Sequence, residues 1–186
     1  MLYIPISLIG IFASCENSIE KVKLVTSHEV LPVQSMRDAE FTYSDSAEIK
    51  FKVITPLLHR YIGEGEDPEP YDVFPEGVKV ISYNDQMEPE SQITANYAIS
   101  YSKKGLMEAE NDVVVINSEG KKLNTEHLVW NEAEGKIFSD KFVKITTPEE
   151  IIFGDGLEAN QDFSEYRIKN IKGRIKINEA EDGKVQ

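Results

Sequence analysis

Polar and apolar residues alternate without a break over Glu48-Ile49-Lys50-Phe51-Lys52-Val53. That is the period of a β-strand with one buried face, because successive side chains point to opposite sides. The period returns in Ile93, Ala95, Tyr97, Ile99 and Tyr101, with Thr94, Asn96, Ala98 and Ser100 between them. Runs rich in β-branched and aromatic residues follow at 113–116, 142–146, 151–153 and 174–177. Turn signals separate them: Lys103-Lys104-Gly105, Ser118-Glu119-Gly120, Asn131-Glu132-Ala133-Glu134-Gly135, Gly154-Asp155-Gly156 and Lys172-Gly173. Glycine supplies the positive φ that tight connections need. Short strands at this spacing, with no helical period between them, predict an all-β sandwich or barrel over residues 41–178. Residues 16–40 show no sustained period and predict a tether or helix-like approach, and 179–186 form a polar tail. The stretch Gly63-Glu64-Gly65-Glu66-Asp67-Pro68-Glu69-Pro70 predicts a solvated loop, since charge repulsion, glycine and proline all oppose a packed element.

The N-terminus breaks this pattern. Residues 1–13 carry no charge, and the run is too short for a transmembrane helix, which needs about 17–25 residues. It has the length of the apolar region of an export signal, about 7–15 residues. Phe12-Ala13-Ser14-Cys15 follows, then the polar Glu16-Asn17-Ser18. Small residues before a cysteine at the end of an apolar run resemble a bacterial lipobox, so residues 1–15 read as a signal leader with Cys15 as the lipidation site. The leader departs from the usual pattern in lacking an early Lys or Arg and in placing Phe12 where Leu is common. The bland alternative is an apolar strand with Cys15 as a core thiol.

The chain has 186 residues, 33 acidic against 20 basic, and a net charge of -13. A polyanion such as nucleic acid is repelled over most of such a surface, and no basic stretch is interleaved with aromatics. One cysteine excludes an intrachain disulfide. His28, His59 and His127 lie far apart, with no H-E-x-x-H spacing, which predicts no metal centre and no cofactor. Neither a G-x-S-x-G elbow nor a phosphate loop is present. The sequence therefore predicts a binding protein and not an enzyme.

From Asn96 to Ile177 an ordered series of segments narrows this further. It runs through Asn111-Asp112-Val113-Val114-Val115-Ile116-Asn117, Lys122-Leu123-Asn124-Thr125-Glu126-His127-Leu128-Val129-Trp130-Asn131, and Gly135-Lys136-Ile137-Phe138-Ser139-Asp140. It continues in Phe142-Val143-Lys144-Ile145, Ile152-Phe153-Gly154-Asp155-Gly156-Leu157-Glu158-Ala159-Asn160, Tyr166-Arg167-Ile168 and Gly173. In this order the series resembles the LptC family, the periplasmic component of the lipopolysaccharide-export (Lpt) transporter. Residues 41–95 fit the family more loosely, and a lipobox-like leader stands where most relatives carry a transmembrane helix.

The resemblance implies a β-jelly-roll, open and V-shaped, whose groove holds the acyl chains of lipopolysaccharide. It also implies a place on the periplasmic face of the inner membrane, between the membrane subunits of the ABC transporter and an LptA-like bridge protein. Alternation supplies a candidate lining of Tyr97, Ile99, Tyr101, Val113, Val115, Phe142 and Ile145; the same residues would equally line a closed core. Gly154 and Gly156 are expected to form a turn that shapes the edge where the bridge protein docks. The alternative is an envelope β-sandwich lipoprotein that binds another hydrophobic ligand or serves as a structural partner.

Overall fold

The computed structural model describes residues 30–63 and 69–177. The leader with Cys15, most of the acidic loop and the polar tail lie outside the described residues. Eleven strands follow one another: β1 (Gln34–Asp45), β2 (Glu48–Ile62), β3 (Pro70–Phe74), β4 (Val78–Tyr83), β5 (Pro89–Ala95), β6 (Tyr97–Tyr101), β7 (Leu106–Asn117), β8 (Lys122–Asn131), β9 (Lys136–Thr146), β10 (Glu150–Asn160) and β11 (Tyr166–Lys176). Every pairing is antiparallel. A single 3-10 turn, Ser102–Lys104, joins β6 to β7 and ends on Gly105 at φ 60°.

β1 begins at Gln34, inside the stretch whose sequence suggests a tether. The reason is its position: β1 pairs only with β2, so most of its side chains stay exposed and polar. An edge strand of this kind has little alternation to show.

The two long strands β2 and β7 each change partner halfway. β2 pairs with β4 through Phe51–Ile54 and with β3 through His59–Ile62. Between these halves stands Pro56, which has no N–H to give a ladder, beside Thr55, whose buried hydroxyl donates to the Gly77 carbonyl at 2.8 Å. β7 pairs with β6 through Leu106–Glu110 and with β5 through Val114–Asn117. Its switch falls at Asn111 and Asp112, both in the left-handed region at φ 64° and 53°. Neighbouring strands are irregular at the same height. The β8–β9 register shifts between Thr125 and Val129, and the β9–β10 register shifts at Gly156, whose φ is 72°. Bulges bend a strand and sharpen its twist, so these defects form one seam along which the sheet turns.

The result is an antiparallel β-jelly-roll. Phe51 on β2 meets Trp130 on β8 with ring centroids 5.2 Å apart, although four strand steps separate them along the sheet. Laid flat, four steps span roughly 19 Å; the sheet therefore folds back on itself. Between its layers lie Leu58, Phe74, Val80, Ile93, Met107, Val115, Leu123, Leu128, Ile137, Val143 and Leu157, all buried in one continuous core.

An apolar groove as candidate functional site

The core does not fill the space between the layers. A cavity of about 480 Å³ is lined by Phe41, Phe51, Val53, Leu58, Phe74, Leu106 and Met107, among others. A second, of about 260 Å³, is lined by Val80, Tyr83, Ile93 and Gln161, among others. Both share Tyr43, Phe51, Trp130 and Glu132 as walls. They are two halves of one groove, pinched by an aromatic string. Tyr43 stacks on Phe51 at 4.7 Å, and Phe51 meets Trp130 edge to face. The indole N–H of Trp130 donates to Gln161 Oε1 at 3.3 Å, which fixes the far end of the string.

The side of the groove formed by β1 and β2 is the open one. Phe41 is 36% and Tyr43 47% exposed, and every residue from Glu48 to Ile54 is only partly buried. Apolar side chains left wet along a channel form a surface that other apolar groups would cover favourably. Charged side chains also stand in its walls, among them Arg60, Asp72 and Glu132. Asp72, nearly buried, accepts a forked pair of hydrogen bonds from Arg60, Nε to Oδ1 at 2.7 Å and Nη2 to Oδ2 at 2.8 Å. That bond holds the Arg60 guanidinium above its ordinary pKa and neutralises the pair. Burial pushes the Glu132 carboxyl up, the direction expected of an acid beside an apolar channel.

The structure places the expected groove residues away from the two cavities. Val113, Val115 and Ile145 are fully buried in the closed core and line neither half of the groove. Tyr97, Ile99 and Tyr101 stand on the opposite face of β6. Ala98 is the residue that turns inward, wholly buried between Phe74 and Ala109 on the flanking strands. Tyr101 continues a string of outer-face tyrosines through Tyr71 to Tyr61. Phe142 is likewise on the outside, 54% exposed and stacked on Phe153. The residues that do line the groove come from β1 to β8, with β1 and β2 supplying the open side. Their sequence signals were the unbroken alternation around Phe51 and Val53 and the single tryptophan.

Gly154 and Gly156 form no turn; they lie within the continuous strand β10. Lys172 and Gly173 likewise sit inside β11. Gly156 is the bulge residue that rephases β10, so that Ile152 and Gly154 point inward before it and Leu157 and Ala159 after it. Gly154 has ordinary φ but no room: a Cβ there would collide with the Ile168 side chain and stand 2.6 Å from the Asn170 carbonyl oxygen, both on β11.

An open antiparallel jelly-roll with an apolar groove between its layers is the class of protein this fold defines. The sequence matches the family model described as "Lipopolysaccharide-assembly, LptC-related" over residues 36–176, and the chain belongs to that family. The family is a transport-related, non-enzymatic one, associated with the periplasm and the inner membrane. No curated protein matches the chain. Among the described residues no helix is long and apolar enough to cross a membrane.

Proposed function

We propose that this chain is a lipopolysaccharide-binding relay of the Lpt export system. It takes lipid from the membrane subunits of the ABC transporter and passes it to an LptA-like bridge protein. The observation that carries this reading is the groove itself, open along β1 and β2 and walled by Phe41, Phe51, Val53, Leu58, Met107 and Trp130. Each methylene removed from water there contributes about 0.8 kcal/mol, so acyl chains are held by area alone and released by sliding. Lipidation at Cys15 anchors the chain on the periplasmic face of the inner membrane.

The two sheet edges support the transfer. β1 and β11 each pair on one side only among the described strands, which leaves their outer backbone groups available for strand addition by a partner. β11 carries Arg167, Lys169, Lys172, Arg174 and Lys176 with no carboxylate, whereas β1 sets Asp38, Glu40 and Asp45 against Arg37. A basic edge on one side and an acidic edge on the other favour head-to-tail stacking of like jelly-rolls, and edge lysines discourage indiscriminate pairing.

Tyr43→Asp tests the groove. Tyr43 is nearly half exposed, so the fold tolerates the change, yet a carboxylate then stands at the pinch. Lipopolysaccharide retained by the purified protein should fall about tenfold, the effect of roughly 1.4 kcal/mol. Undiminished loading in a variant with native circular dichroism would remove the groove from the account.

A further inference from the structure

The outer face of the seam carries a second constellation, unconnected with the groove. Glu108 and Glu110 are two apart on β7 and therefore share a face. His127 stands directly opposite Glu110 on β8. Ligand atoms of these three half-buried side chains all lie within 4.8 Å of one another. Around them are Tyr97 opposite Glu110, and Ile99 and Val129 opposite Glu108. No lysine or arginine pairs with either glutamate among the described ion pairs. Two carboxylates so close, in partly apolar surroundings and without a cation, repel each other.

The imidazole makes this more than an acidic patch. Nδ1 of His127 is shielded from solvent and has no hydrogen-bond partner. Its nearest anionic atom is Oδ1 of Asp140 on β9, 3.4 Å away. A shielded nitrogen without a hydrogen bond is costly, and the same imidazole has a ligand nitrogen within 4.8 Å of both glutamate carboxylates. One imidazole with two or three carboxylate oxygens is a donor set for a borderline divalent ion such as zinc; calcium and magnesium prefer oxygen alone.

We propose that Glu108, Glu110 and His127 form a divalent transition-metal site of the zinc type; Asp140, paired with Lys141 at 3.1 Å, stands outside that cluster and beside His127. The ion ties β7 to β8, where the bulges at Asn111–Asp112 and beyond Thr125 interrupt the ladders. It braces the bend of the sheet from outside and leaves the groove untouched. Small carboxylate rotations bring the donors from their present separations to zinc–oxygen bonds of about 2.0–2.2 Å.

The test uses the full chain carrying Cys15→Ala, which removes the thiol as a competing ligand. After chelator treatment the protein is titrated with zinc against a chromophoric competitor, and its melting temperature is followed with and without the ion. One equivalent should bind and raise the melting temperature by about 5 °C or more. His127→Ala and the gentler Glu110→Gln should each weaken binding about tenfold or more and abolish the shift, with unaltered circular dichroism in the metal-free state. Glu76→Gln, an exposed acid elsewhere, should change nothing. Non-saturating binding, equal affinity for calcium, or unchanged zinc affinity in both site variants would overturn the assignment.

Discussion

Ile145 and Ile99 are the same residue type in equally alternating strands, yet they do opposite work. Ile145 is wholly buried among core side chains, and Ile99 lies half-covered on the outer face of β6. Ile145→Ala should cost roughly 3 kcal/mol of unfolding free energy, because it opens a cavity where neighbours cannot collapse. Ile99→Ala should cost about 1 kcal/mol or less. Urea unfolding measures both, and equal losses would contradict the assignment of faces. The distinction is only partly legible in the sequence. Alternation reports a period of two and leaves open which phase points inward. In β6 both phases are apolar, since Ala98 fits the narrow space between layers and the tyrosines cover each other outside. Phe142 and Ile145 are different: three residues apart with no bulge between them, they fall on opposite faces of β9, Phe142 exposed and Ile145 wholly buried. His127 shows the converse. Its proposed metal-binding company comes from the facing strand β7, so no local spacing could announce it.

At the level of elements, glycine carries two meanings that sequence does not separate. Gly105, Gly120 and Gly135 close turns at φ 60°, 78° and 61°, as their flanking residues suggest. Gly154-Asp155-Gly156 looks the same in sequence but belongs to the interior of β10. There Gly156 inserts a bulge and Gly154 lets β11 lie close. Gly154→Arg would force β11 away from β10 through the clash with Ile168 and the Asn170 carbonyl. Copurification of an LptA-like partner should drop severalfold, and amide exchange should quicken along residues 166–176 while β2 to β8 stay protected. Normal copurification with protected β11 amides would mean that the edge is not the docking surface. β1 was hidden for a related reason. As an edge strand it buries little, and its residues Phe41 and Tyr43 turn toward the groove and not into a closed core.

Over the whole molecule the seam organises everything else. It lets β2 and β7 change partners, folds one sheet into two layers, leaves the groove between them and gathers Glu108, Glu110 and His127 on the other side. The all-β class was legible in the sequence because most strands keep their period over most of their length, and the jelly-roll followed from the family resemblance; the edge strand β1 was not legible. The groove was not, because the residues that line it are set by how far the sheet folds back, a property of aligned bulges in separate strands. Inner and outer faces therefore make opposite claims about lipid, and photoreactive residues placed in living cells separate them. At Phe51 and Val53 crosslinks to lipopolysaccharide are expected that disappear when ATP is depleted, with none at Tyr97 or Ile99. Adducts confined to Tyr97 and Ile99, or none at any of the four in a folded and exported protein, would contradict it.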